Sequence, residues 1–143
     1  MANNLSLKAF VVLMKAANTL EKKSREDISV HGMKMSDFTI LEALYHKGRQ
    51  TIKQISESVL ISTGSITYVI DKLEKKGLLE RSNCAEDRRV VYIQITDEGQ
   101  KQMDEIFPEH TAMIEEIFSC LSDDEKQTAI DILKKVGKQA EDK

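Results

Sequence analysis

Between Ser62 and Lys75 the chain carries a run of small hydroxyls and one aromatic ring whose chemistry is hydrogen bonding and surface contact. Ser62, Thr63 and Ser65 have hydroxyls able to donate to phosphate oxygens near a helix start, and Ser62 or Thr63 also suits the cap such a helix needs. Thr67 and Tyr68 follow, with groups able to reach base edges or a thymine methyl. Lys72, Lys75, Lys76 and Arg81 add positive charge of the kind that meets a phosphate backbone. A second cluster closes on Asp87, Arg88 and Arg89. Asp87 reads as holding an arginine in place, and Arg88 or Arg89 as a charge directed toward a narrow, A·T-rich minor groove. The spacing alone leaves open which arginine does which.

Cysteine and histidine offer less. Cys84 lies in the polar stretch before the two arginines, where oxidation or alkylation of a thiolate would place bulk or charge beside phosphate. Cys120, among Ile117, Phe118 and Leu121, reads as a buried small hydrophobe. His31, His46 and His110 are scattered, without cysteine or carboxylate partners at ligand spacing, so neither metal nor cofactor is expected. No phosphate-cradling glycine loop, nucleophile elbow or zincin motif occurs, and an enzyme is not expected.

The elements that must hold these residues can be read from periodicity. Ile66, Val69, Ile70 and Leu73 fall at i, i+3, i+4 and i+7, which makes one buried stripe and leaves Gly64, Tyr68, Asp71 and Lys75 on the opposite face. Gly77 turns the chain into a strand from Leu78 to Arg81; a polar tip follows, and the β-branched run Val90 to Ile95 returns. A helix followed by a basic-tipped hairpin outlines a winged helix. Upstream, Thr51 with Gln54 fits a capping box for a short helix whose inward residues are Ile52, Ile55 and Val59. Two short helices with a tight link give the helix-turn-helix arrangement, in which the second helix enters the major groove. Before them, residues 5 to about 27 suggest a long helix with Leu5, Phe10, Leu13, Met14, Ala17 and Leu20 at mostly helical spacing, broken by Gly32. Ser36 is expected to cap the next helix, which runs through His46 with Phe38, Leu41, Ala43 and Leu44 inward and ends at Gly48.

After the hairpin, Thr96 or Asp97 is expected to open a helix to about Cys120, bent near Pro108, with more apolar surface than one stripe. Ser122 and Glu125 form another capping box, opening a last helix with Ala129, Ile130, Leu133 and Val136 inward. The expected organisation is a single winged-helix domain over 1–143, with a lobe at about 36–96 and flanking helices at about 5–30 and 97–140.

Charge divides the chain. The net charge of −3 hides +4 over residues 1–96 and −9 over 97–131. The acidic segment suits the side away from a polyanion, and the central region suits the side toward it. With two cysteines, no secretory leader and no apolar run near the roughly 20 residues of a membrane span, a cytoplasmic protein with no membrane partner is expected.

The segment GSITYVIDKLEKKGLLER followed by EDRRVVYIQITDEG closely resembles the recognition helix and wing of the MarR family of bacterial transcription regulators. The match covers about Gln54 to Gly99, and the helix-like GSITYVIDKLEKKG with the IFPEH segment is similar to the branch responding to quinones and related phenols. The resemblance implies a mainly α fold, a winged helix-turn-helix with N- and C-terminal dimerisation helices. It also implies a homodimer that sets two lobes on successive turns of a pseudo-palindromic operator in double-stranded DNA. In the family the first two positions of the DRR triplet tend to pair while an arginine reaches DNA. Many members have arginine where this chain has Tyr68, so stacking, methyl contact or phosphate bonding is expected there. Peroxide-sensing relatives keep a reactive cysteine near the N-terminus, and this chain has none there. The resulting expectation is a DNA-binding repressor released by a small phenolic or electrophilic effector, held between lobe and dimer helices near Met14, Tyr45 and His46. The rival is a winged-helix module that binds protein without specific DNA binding.

Overall fold

The computed structural model describes residues 4–59 and 63–143, which form two compact units, 1–108 and 109–143. The first unit opens with α1 (Leu5–Ser29), capped by the Asn4 side chain, which accepts from Leu7 N at 2.9 Å. Then come α2 (Met35–Lys47), β1 (Gln50–Thr51), α3 (Ile52–Ser58), α4 (Thr63–Lys75), β2 (Leu79–Asn83) and β3 (Val91–Ile95). Helix α5 (Asp97–Phe118) contains Pro108, at which the first unit ends, and α6 (Asp123–Glu141) lies in the second. This is the expected mainly helical winged helix-turn-helix. Among the described residues no helix is long and apolar enough to cross a membrane, and no three His, Cys, Asp or Glu side chains group as a metal site.

The core of the first unit gathers around α4. Its stripe, Ile66, Val69, Ile70 and Leu73, is buried with Phe38, Ile40, Leu41 and Leu44 of α2, Ile55 of α3, Leu79 of β2, Ile93 of β3, and Met103 and Ile106 of α5. Helix α3 starts as expected: Thr51 accepts from Gln54 N at 3.2 Å, and Gln54 Oε1 accepts from Thr51 N at 2.9 Å. The exit from α4 is equally defined. Leu78 N donates to Leu73 O and Gly77 N to Glu74 O, both at 3.0 Å, closing a Schellman motif with Gly77 at φ 77°. Only a residue free of Cβ strain takes that conformation cheaply.

Several expectations need correction. Ser36 does not cap α2. The cap position falls two residues earlier, at Lys34, whose extended backbone makes no side-chain cap bond, and the first turn carries Asp37 instead. Helix α2 is enclosed on more sides than one stripe describes, so Ile40 joins the core although its spacing did not mark it, and Ala43 is only half-buried. A third strand, β1, pairs with β3 (Gln50 opposite Ile93), giving a sheet of order β1-β3-β2. Two residues are too few to show a period, and Gln50 is fixed by tertiary contact, its Nε2 donating to Ala43 O at 3.0 Å. Cys120 is exposed, because α5 ends at Phe118 and leaves Cys120 in the turn before α6.

The largest correction concerns α6. Its Ser122–Glu125 capping box forms as expected, with bonds of 2.9 and 3.2 Å. Yet Ile130, Leu133 and Val136 are 45%, 49% and 52% exposed, and no residue of α6 is buried. Helix α1 behaves similarly: Leu5, Phe10 and Met14 are exposed and only Ser24 and Ile28 are buried. A helical stripe states that a face is apolar; it does not state that the covering surface belongs to the same chain.

Candidate nucleic-acid interface

Helix α4 leaves one face open because its other face is fully used. With the Ile66–Leu73 stripe buried, Ser65 and Thr67 are exposed and Tyr68 is 69% exposed, an aromatic that packing within the chain does not explain. Ser62 lies outside the described residues, as does the side chain of Thr63. Lys72, expected beside these at the phosphates, is directed elsewhere: its Nζ stands 2.7 Å from Asp37 Oδ1 at the start of α2. Arg81 is likewise engaged. Its guanidinium reaches Asp71 Oδ1 and Glu74 Oε1, each at 2.5 Å, and its backbone N–H donates to Glu74 Oε2 at 3.3 Å. The side-chain bond to Asp71 leads the causes that raise the Arg81 pKa, and burial opposes it. The strand that begins the wing is thereby bonded to the helix it accompanies.

At the wing, β2 and β3 pair from Leu79 opposite Ile95 to Asn83 opposite Val91. Cys84 follows β2, its N–H donating to Val90 O at 2.9 Å and its side chain half-buried. A tight turn closes the tip, Val90 N donating to Asp87 O at 3.0 Å. That turn brings residue 89 back over the Asp87 side chain. Arg89 N donates to Asp87 Oδ1 at 3.0 Å, and the guanidinium adds bonds of 3.1 and 3.2 Å to Oδ1 and Oδ2. First the Arg89 guanidinium, then the Arg89 backbone N–H, holds the Asp87 carboxyl below the usual carboxylate range. The paired positions are therefore the first and third of the triplet, not the first two, because a carboxylate at the head of a turn meets the N–H two residues on. Arg88 is exposed, and among the described residues it makes no hydrogen bond or ion pair.

Two features lacked a sequence signal. Arg49 lies over the Tyr92 ring of β3, 4.4 Å from its centroid, adding a cation to the sheet from 43 positions away. Asp37 is the buried counter-charge of α4, and a lone aspartate in an apolar helix gives no hint of its partners. Of the residues expected around an effector, Tyr45 and His46 come together with Phe107 of α5: ring centroids are 5.2 Å apart for Tyr45–His46, 5.7 Å for Tyr45–Phe107 and 4.5 Å for His46–Phe107. Tyr45 Oη donates to Asp104 Oδ1 at 2.6 Å. Met14 is exposed on α1.

The MarR family profile matches residues 33–91. The chain is 44% identical over 135 residues to the HTH-type transcriptional regulator MhqR of Bacillus subtilis, covering 94% of this chain and 93% of that one. Among solved structures it resembles the MarR family regulator Sco3205 of Streptomyces coelicolor in complex with DNA, with TM-score 0.85, 20% identity, and 94% and 90% of the two chains covered. NadR in complex with 4-hydroxyphenylacetate gives TM-score 0.77 at 24% identity, covering 88% of this chain and 89% of that one. At these identities the two structures speak for the fold.

Proposed function

Since this chain belongs to the MarR family of helix-turn-helix transcription regulators, we propose that it works as a homodimeric repressor, reading a pseudo-palindromic operator with α4 and bracing it with the wing. The observation that carries the reading is the contrast across α4: one face wholly buried, the other exposing Ser65, Thr67 and Tyr68. Thr67 and Tyr68 face base edges, Ser65 and the helix start face phosphate, and Arg88 enters the minor groove beside an Arg89 steadied by Asp87. Two copies join through the exposed apolar residues of α1 and through those of α6, each helix contributing its own surface.

The effector we propose is a small aromatic acid or phenol. Support comes from the Tyr45–His46–Phe107 cluster and from the aromatic ligand in the NadR complex. Such a ligand lowers operator affinity by preferring a state in which the two recognition helices are wrongly spaced.

Selection of bound duplexes from a random pool tests the DNA reading. One palindromic consensus is expected, with affinity falling steeply as salt rises. Arg88→Ala should lower the slope of log K against log salt by about 0.9, the value of one phosphate contact. Failure to select any sequence would leave the protein-binding module as the better account. Release assays with phenols and quinones, repeated on Cys84→Ser, separate pocket binding from thiol chemistry: release by quinone alone, lost in the variant, would replace the pocket with the cysteine.

A further inference from the structure

Asp37, in the first turn of α2, is a carboxylate only 2% exposed. Lys72 Nζ stands 2.7 Å from its Oδ1 and Lys76 Nζ 3.9 Å from its Oδ2. The Oδ1 contact is an ion pair without hydrogen-bond alignment. A charge this deep is costly unless it is paired. The local field also favours it, because an anion at the N-terminal end of α2 and cations at the C-terminal end of α4 each oppose the partial charge of their own helix.

Burial of the α4 stripe sets which face of the helix turns inward, and directional contacts at the helix end add to it by fixing the finer rotation about the axis. Lys72 and Lys76 stand four residues apart, on one side of the helix end, and converge on one carboxylate. We propose that Asp37 is the positioning residue of the DNA-reading helix: through Lys72 and Lys76 it fixes the rotation of α4 against α2, and Lys72 serves operator specificity from behind the helix without touching phosphate. The inference rests on the DNA-binding reading above. It assigns Lys72 a different task from the one its positive charge suggests. On the wing side, Arg81 bonded to Asp71 and Glu74 holds the same helix from another direction, so α4 is fixed by charge on two flanks.

The test compares the full-length parent with Asp37→Asn, Lys72→Met, Lys72→Arg and the Asp37→Asn/Lys72→Met double variant. Each is titrated against the selected operator and a scrambled duplex over a range of salt. Asp37→Asn and Lys72→Met should each weaken operator binding about tenfold, with affinity for the scrambled duplex no lower than the parent's. The double variant should be no weaker than the weaker single one, as expected of two residues acting through one contact. Lys72→Arg should recover most of the loss, and Lys72→Met should keep the parent's salt slope. Parent-like operator affinity in Asp37→Asn, or a slope lowered by about 0.9 in Lys72→Met, would overturn the proposal. Should Asp37→Asn fail to fold, the Lys72 variants decide by the same slope. A parent that selects no operator overturns both this inference and the DNA reading, whereas variants that match a selective parent overturn this inference alone.

Discussion

Ile66, Val69, Ile70 and Leu73 on α4 and Ile130, Leu133 and Val136 on α6 each recur at helical spacing, yet the first group is buried and the second stands about half-exposed. Both helices have defined ends, α4 through its Schellman exit and α6 through its capping box. What differs is the set of neighbours. Helix α4 lies in the core shared by α2, α3, the sheet and α5, whereas α6 buries no residue. Periodicity thus declares an apolar face without saying which molecule will cover it. Our proposal that a second copy covers α6 can be broken by paired truncations. Ile70→Ala should cost about 2–5 kcal/mol in denaturant unfolding, the range for emptying a core site. Leu133→Ala should instead shift the monomer–dimer equilibrium toward monomer, read by sedimentation on dilution. Unchanged self-association in Leu133→Ala would remove α6 from the interface and leave its exposed stripe to another role.

A smaller effect tests how closely the lobe is fitted to α5. Thr96 caps that helix, accepting from Gly99 N at 3.1 Å while its hydroxyl donates to Gly77 O at 2.6 Å; its own N–H donates to Leu78 O at 3.1 Å. A Cβ on Gly99 would stand 2.1 Å from Leu78 O, a backbone atom with no freedom to rotate away. Gly99→Ala should therefore cost about 1–3 kcal/mol, the usual range for overpacking, measured as a lowered denaturation midpoint. It should also weaken operator binding, because the turn that must yield is the exit of α4. Full stability in Gly99→Ala would mean that α5 can slide on the lobe, and the contrast between a tightly fitted α4 and an open α6 would lose its sharpness.

How much of this was legible in the sequence depended on the range of the interaction. Thr51–Gln54, Ser122–Glu125, the α4 stripe and the turn at Gly77 involve residues within a few positions of one another, so type and spacing were enough. The wing's course was legible for a similar reason, since β2 and β3 are joined by one polar loop. Asp37 with Lys72, Arg49 with Tyr92, and β1 with β3 join residues tens of positions apart. For those pairs, residue type suggests charge or ring and the fold alone selects the partner. Lys72 shows the consequence: a lysine on a DNA-reading helix looks like a phosphate contact until a buried carboxylate claims it. Cys120 is the opposite case, an apolar neighbourhood in sequence that the end of α5 opens to solvent.

The smallest effect is expected at the polar edge of the lobe, where the Tyr45 phenol meets Asp104. The phenol's hydrogen bond to Asp104, then its partial desolvation and the nearby negative charge, raise the Tyr45 pKa above the ordinary phenol value. The bond requires the phenol proton. Its contribution is therefore complete below the ordinary phenol pKa and is lost as pH rises through the higher folded value. An ultraviolet difference titration of the parent against Tyr45→Phe should show this phenolate appearing late, and Asp104→Asn should move it back toward the ordinary value. Because the pair lies at the surface, neither substitution should do to stability what Ile70→Ala does. If Tyr45 titrated normally in the parent, the bond would be absent in solution, and α2 and α5 would be joined there only by the rings of Tyr45, His46 and Phe107.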